Sequence, residues 1–249
     1  MIEITYEVHF KTPLHIGTGY GFAGFLDSVV VRDAQGHVYV PGSTIKGKAR
    51  AAARRLAQGL KLGGPLCPPG IPCGLVRGAS GTPHGLVRGA PCPVCRLFGS
   101  PQFPGQLYFD NVQLPDPYRK LFKEMMDQDR LVARRATTQR RTNVMLSRRR
   151  RAARPDHLFT NELVRADLPL SGRIRGEVIG REGADAAMLR DDLALLWGAL
   201  QVVTHLGQAR SRGLGHCAIT VASLQVGGAS FTEADYAAAL RQLGGGVDQ

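Results

Sequence analysis

The sequence predicts an α+β fold built on a β-α-β-β-α-β core that carries large insertions. Three observations lead there. Strand-like segments open the chain, recur through its middle and return near its end. Two helical patterns, at about 43–60 and 184–205, fall between them. Two core helices are too few for the continuous βα alternation of a doubly wound sheet, so the β-α-β-β-α-β core is the simpler reading.

In chain order, Ile2, Ile4, Tyr6, Val8 and Phe10 alternate with polar residues. A period of two marks a half-buried strand. The loop LHIGTGYGFAGF follows, and its Gly17, Gly19, Gly21 and Gly24 allow close approach to a ligand. These glycines lack the strand-loop-helix setting of a dinucleotide fingerprint. Val29, Val30 and Val31 with Val38 and Val40 read as a β-hairpin turning at Gln35-Gly36. Pro41-Gly42 ends it, and Ser43 or Thr44 would cap a helix reaching about Leu60. From Lys61 to Cys95 the chain is dense in Gly, Pro and Cys and repeats GLVRGA at 74–79 and 85–90. The repeats are either paired turns about a common centre or a duplication in a tolerant loop.

A further strand is expected at 106–114, a short helix at 118–126, and paired strands at 160–165 and 172–179. Leu193, Leu196, Trp197, Leu200 and Val203 form one apolar helical stripe. That helix is expected to end at Gly207, in a second glycine loop, GQARSRGLGHC. A strand at 216–226 and a helix capped near Thr232 complete the chain.

Charge narrows the partner. Lys and Arg number 32 against 20 acids, a net +12 in 249 residues, with an isoelectric point near 10. That surplus favours a polyanion, nucleic acid above all. No apolar run nears the roughly 20 residues needed to span a bilayer, so no membrane partner is expected. MIEITYEVHF has no signal-peptide core. Clustered cysteines without an export signal point to the reducing cytoplasm and argue against a disulfide framework.

Four groups of residues carry candidate chemistry. Lys46, Lys48 and Arg50 enter the first turns of the 43–60 helix, where Ser43, free N–H groups and the helix dipole favour phosphate. Cys67, Cys73, Cys92 and Cys95, as C-x5-C and C-x2-C, supply a closed tetrahedral zinc site that would clamp a loop with almost no core. His84 could replace one of them, and free cysteines in a loose loop are the bland alternative. Cys217 reads as a small buried hydrophobe. Residues 130–154 hold ten arginines and no acid. They form either a solvated tail or a basic finger that orders on RNA, with Arg140, Arg141 and 148–151 on phosphates and Val132, Val144, Met145 and Leu146 wedging between bases. Arg210, Arg212, Gly213 and Gly215 suit a nucleic-acid backbone, against the plainer reading of a helix C-cap and turn. Asp27 is a lone carboxylate, and chemistry alone favours a surface role. His15 and His37 are possible acid/base groups, more often structural in such settings.

In order along the chain, LHIGTG at 14–19, FLDSVVVRD at 25–33, VPGSTIKGKAR at 40–50, CRLFGS at 95–100, GQLYFDNV at 105–112 and SRGLGHCAI at 211–219 resemble the RAMP superfamily of CRISPR-associated RNA-binding proteins. The specific match is to the backbone subunit of type III (Csm- and Cmr-type) effector complexes. The resemblance implies a single domain over 1–249 with a modified ferredoxin-like (RRM-like) core and a thumb-like hairpin at 130–158. The zinc-binding insertion at 61–95, read from its cysteines, is a departure from the simple backbone subunits. It implies copies lined along a guide RNA beside other RAMP subunits, each pushing its thumb through the guide–target duplex. Asp27 matches the aspartate that supports Mg²⁺-dependent (or other divalent-metal) cleavage of target RNA. Ser43, Lys46, Lys48 and Arg50 would hold guide phosphates beside 210–215. The cysteine insertion resembles metal-bearing relatives of type III-D and III-E systems. Family members that hold guide RNA without cutting, or that process repeat RNA by metal-free acid/base chemistry, are the alternatives.

Overall fold

The computed structural model describes residues 1–22, 25–60, 67, 73, 75–77, 86–88, 91–105, 107–176 and 186–245. Gly24, His84, Gln106, 177–179, 184–185 and most of the cysteine insertion lie outside that set.

The first strand, β1 (Ile2–Phe10), is the centre of the sheet. Its even-numbered residues are buried and Glu7 and His9 face solvent, the alternation its sequence requires. Next come α1 (Gly42–Gly59), the short β2 (Leu75–Arg77) and β3 (Leu86–Arg88), α2 (Pro93–Phe98) and β4 (Leu107–Phe109). Two helices, α3 (Asp116–Gln128) and α4 (Arg130–Thr137), lead into a long hairpin of β5 (Thr138–Ser147) and β6 (Ala152–Val164). The chain returns through β7 (Leu170–Gly176), α5 (Ala186–Gln201), β8 (Cys217–Val226), β9 (Ala229–Phe231) and α6 (Glu233–Gly245).

The main sheet runs β4-β7-β1-β8-β9, with every neighbouring pair antiparallel. Its four core strands, read from β8, lie in the order fourth, first, third, second. That is the ferredoxin-like order expected of β-α-β-β-α-β connectivity. α1 and α5 cover one face. Ala49, Ala52, Ala53 and Ala57 let α1 approach closely, and Leu193, Leu196 and Leu200 of α5 are buried in the same core as β1. Each large apolar side chain so enclosed contributes about 1.5–3 kcal/mol.

Four local expectations change. The segments 160–165 and 172–179 are not a strand pair: residues 160–164 lie in β6 and pair with β5, while β7 pairs with β1 and β4. Val29–Val31 do not form a hairpin with Val38 and Val40. Val30 bridges Gly17, Leu26 bridges Phe22, Val40 bridges Val112, and only Arg32 and Val38 pair across the Gly36 turn. The partner of the valine segment is therefore the first glycine loop. Neither Ser43 nor Thr44 caps α1: Pro41 holds the N-cap position without a side-chain bond, and Asn111 Oδ1 accepts from Gly42 N–H at 2.9 Å. Gly42 is required there, because a Cβ would sit 2.0 Å from the Phe109 carbonyl oxygen. Finally, α5 ends at Gln201, and Gly207 is not its C-cap. Gly207 packs instead on the His15 carbonyl, which a Cβ would meet at 2.5 Å.

The repeats in the cysteine insertion do pair. Leu75–Arg77 and Leu86–Arg88 form one antiparallel ribbon, Val76 opposite Val87.

Candidate nucleic-acid interface

Lys46, Lys48 and Arg50 lie two residues apart on α1, and side chains at that spacing point to opposite sides of a helix. The structure separates them accordingly. Lys46 Nζ lies 5.9 Å from the centre of the Phe109 ring. It joins Ser43, Tyr108, Asp110 and Arg175 around a cleft of about 1030 Å³ between α1 and β4. Arg50 shares that side of the helix, but its Nη2 lies 3.8 Å from Cys95 Sγ, at the cysteine cluster. Lys48 points the other way, where its charge reaches His205 and Cys217. The three cations therefore do not form one row.

Beyond Lys48 is the second glycine loop. Ala209, Gly213 and Gly215 all adopt positive φ around a single 3-10 turn, Arg210–Arg212, whose arginines are exposed. The loop is pinned to the first glycine loop: Gln208 N–H donates to the His15 carbonyl at 2.8 Å and Gly215 N–H to the Pro13 carbonyl at 2.9 Å. Gly215 has no room for a side chain, because a Cβ would lie 1.9 Å from the Leu206 oxygen. At Gly213 the space is open, and only the left-handed backbone (φ +79°) favours glycine. Lys48 and Arg210, 162 positions apart in the sequence, are thus brought to one place, where both charges act on His205.

Asp27 is exposed at the foot of the β5–β6 hairpin. Its backbone N–H donates to the Thr160 carbonyl at 2.9 Å, and its Oδ2 accepts from Thr160 N–H at 2.6 Å. Ser28 forms a parallel bridge with Asn161. The carboxylate is therefore held at the root of the arginine-rich hairpin. Tyr20, Phe22 and Phe25 are all more than half exposed beside it, and the Arg134 guanidinium lies 5.7 Å from the Phe22 ring centre. The hairpin itself displays Arg140, Arg141, Arg148–Arg151 and Arg154 to solvent, with Val144, Met145, Leu146 and Leu158 also exposed. The 130–154 stretch is thus part helix and part hairpin: Arg130, Arg134 and Arg135, with Val132, lie on α4, and the other seven arginines lie on the β5–β6 hairpin.

One residue that local sequence did not single out fixes this arrangement. Glu162, on β6, has a side chain only 2% exposed. It accepts from Arg134 Nε and Nη2 at 2.7 and 3.0 Å, Arg32 Nη2 at 3.0 Å, Thr138 Oγ1 at 3.0 Å and Val30 N–H at 3.2 Å. Burial alone would raise its carboxyl. The Arg134 hydrogen bonds, the Arg32 charge and the Val30 N–H outweigh that and hold it at about 2. Arg134 therefore serves the hairpin root and not its exposed surface. His15 and His37 are also structural in position. His15 is 4% exposed, with Nδ1 on the Glu162 carbonyl and Nε2 on Ser28 Oγ. His37 is 5% exposed and bonded to Asp33.

The four cysteine sulfurs converge, all within 4.8 Å of one another. Cys67 Sγ lies 3.7 Å from that of Cys92 and 3.6 Å from that of Cys95. Four thiolates about 2.3 Å from a central zinc stand about 3.8 Å apart, so the cluster fits a tetrahedral ion. Burial pushes the Cys67 and Cys95 thiols up. At Cys92 burial acts the same way, but the Cys95 N–H and the surrounding thiols lower it. Cys217 is buried away from this cluster at the start of β8.

Residues 7–218 match the RAMP superfamily. The chain belongs to that superfamily. One solved structure similar to this RAMP chain is a chain of the type III-B Cmr-beta, determined by cryo-EM bound to cognate target RNA. The TM-score is 0.54 at 10% identity, over 88% of this chain and 96% of that one. No curated protein matches the sequence. Within the RAMP fold, sequence reading found the glycine loops, the hairpin and the cysteines because each has a compositional signature. It missed Glu162 and the exposed aromatics beside Asp27. Only the aromatics, adjacent to glycines in a loop, had a local signal to find them by.

Proposed function

We propose that this RAMP protein is a guide-RNA-binding backbone subunit of a cytoplasmic type III CRISPR effector complex, and that it cleaves complementary target RNA at Asp27. The observation that carries the reading is the reciprocal bonding of Asp27 and Thr160. It fixes one exposed carboxylate at the root of an arginine-rich hairpin with apolar side chains near its end. Family membership and fold similarity to a chain of a target-bound Cmr-beta support it.

In this reading Ser43, Lys46, Lys48, Arg210, Arg212, Gly213 and Gly215 contact guide phosphates. Arg140 and Arg141 contact the duplex along the thumb. Val144, Met145 and Leu146 part the bases, and splaying frees the target backbone to reach the in-line geometry that a stacked A-form duplex resists. The target 2′-hydroxyl attacks its own phosphate, leaving a 2′,3′-cyclic phosphate and a free 5′-hydroxyl. Asp27 offers one carboxylate, which suits a Mg²⁺ that takes its remaining ligands from RNA and water. When bound, that cation supplies charge neutralisation at the phosphate. Zn²⁺ would be held by Cys67, Cys73, Cys92 and Cys95 in a closed structural site. Arg50, exposed beside Cys95, then offsets thiolate charge at the edge of the cluster. Partners are guide RNA, target RNA and other RAMP subunits, including further copies joined head-to-tail.

The test is Asp27→Ala in the assembled complex. Target cleavage should fall by at least about 10²-fold with target binding retained, and EDTA should abolish cleavage by the unaltered complex. Unchanged cleavage by the variant overturns the assignment. A second reading, a guide scaffold that does not cut, is favoured by the same Asp27–Thr160 bond if it serves only to pin the loop. That reading predicts no cleavage by the unaltered complex with Mg²⁺ or Mn²⁺. Metal-free processing through His15 or His37 is disfavoured, since both rings are buried and bonded.

A further inference from the structure

Between α1 and the second glycine loop lies a pair of imidazoles with no role so far. His205 follows α5 and His216 precedes β8, and they face each other across an isolated antiparallel bridge. Their rings stack with centres 5.0 Å apart and planes 12° from parallel. Thr204 Oγ1 meets His205 Nδ1 at 3.0 Å. Among the described residues, neither ring nitrogen of His216 has a protein partner, while its backbone N–H donates to Thr12 Oγ1.

The surroundings are one-sided in charge. α1 contributes Lys48 and the 3-10 turn contributes Arg210. The end of β1 leads to Lys11, whose side chain is exposed and whose backbone N–H donates to the His216 carbonyl at 2.7 Å. β8 contributes Cys217, buried and uncharged, its thiol pushed by burial to about 11. Among the described residues, the groups whose charge acts on His205 are Arg210, His216 and Lys48, and none is an acid. Burial and these cations together favour the neutral ring. Both rings keep partial access to solvent. A half-open cluster of cationic groups with no carboxylate among its described members is balanced best by an anion from outside.

We propose that His205 and His216, with Lys48 and Arg210, form a phosphodiester-binding subsite for RNA, at which the histidine pair takes up a proton from solvent as the phosphate docks. The inference rests on the RNA-binding reading above and adds residues and a regulation to it. An arriving phosphate offsets the repulsion from Lys48 and Arg210 and favours imidazolium, so by linkage RNA is held more tightly as pH falls. Each histidine whose protonation is favoured by one pH unit on binding changes affinity by up to about tenfold across the transition.

The experiment measures binding of a fluorescein-labelled single-stranded RNA by the full chain, at constant salt, between about pH 5.5 and about pH 8. The unaltered chain should weaken about tenfold over that range. His205→Gln/His216→Gln should show a nearly flat profile, with the affinity of the unaltered chain at the alkaline end. If the double variant does not fold by circular dichroism, His216→Gln alone carries the test, and its profile should be shallower than that of the unaltered chain. Lys48→Met/Arg210→Met should weaken binding at every pH. A histidine variant that keeps the full pH dependence overturns this inference and leaves the RNA-binding reading intact. No RNA binding by the unaltered chain at any pH overturns both.

Discussion

Replacing Glu162 with glutamine keeps its shape and removes the charge that holds Arg32 and Arg134 at the hairpin root. The Arg32 and Arg134 side chains are 18% and 34% exposed, against 2% for Glu162. Losing the shared carboxylate leaves Arg32, largely desolvated, and Arg134, one-third exposed, without their counter-ion, a change that costs about 3–5 kcal/mol when a fully buried pair is broken. Arg134's partial exposure places the expected cost near the lower end. The carboxyl's displacement gives an independent figure. At about 1.4 kcal/mol per pH unit, holding it at about 2 instead of 4.5 contributes about 3 kcal/mol. The folded-state value is depressed, so this contribution is fully present above about pH 4.5 and lost as pH falls through about 2. Urea unfolding of the unaltered chain and Glu162→Gln at neutral pH should differ by about 3 kcal/mol. That gap should close between about pH 4.5 and about pH 2. Proteolysis within the β5–β6 arginines should accelerate in the variant at neutral pH. A difference below about 0.5 kcal/mol at neutral pH, or one that persists at the acid end, would show that Glu162 does not organise the root.

Two further outcomes test other parts of the molecule. Gly215→Ala and Gly213→Ala share a left-handed backbone, but only Gly215 faces an immovable oxygen. The Gly213 variant should cost about 1–2 kcal/mol and leave the loop in place, while the Gly215 variant should displace the loop and cost clearly more. Equal effects on thermal unfolding would undo that distinction. Metal analysis of the purified chain should find zinc, lost in Cys67→Ser and Cys92→Ser and retained in Cys217→Ser. A chelator should lower the melting temperature of the unaltered chain, and metal-free protein of unchanged stability would count against the clamp.

The connectivity of the core, its two covering helices and the existence of both glycine loops were legible in the residues. Alternation at period two in β1 and the apolar stripe of α5 report local geometry directly, and the cysteine and arginine clusters stand out by composition. Three features depended on the folded chain. β-branched content marks Val29–Val31 as extended but does not name a partner, so the choice of the 16–22 loop over Val38 and Val40 was made by tertiary pairing. Helical spacing sends Lys48 away from Lys46 and Arg50, but only the fold brings His205 and His216 to the place where Lys48 and Arg210 act. Glu162 looks in sequence like any single acid near a strand end. Its role comes from Val30 and Arg32, 132 and 130 positions earlier. The sequence by itself determined β1, α1, α5 and β8 and marked both glycine loops, because those follow from propensity and periodicity over a few residues; α2, α4 and β9 carried no such signal. Tertiary structure alone decided which cations meet, which carboxylate is buried and where Asp27 points, because those contacts join residues far apart in the chain.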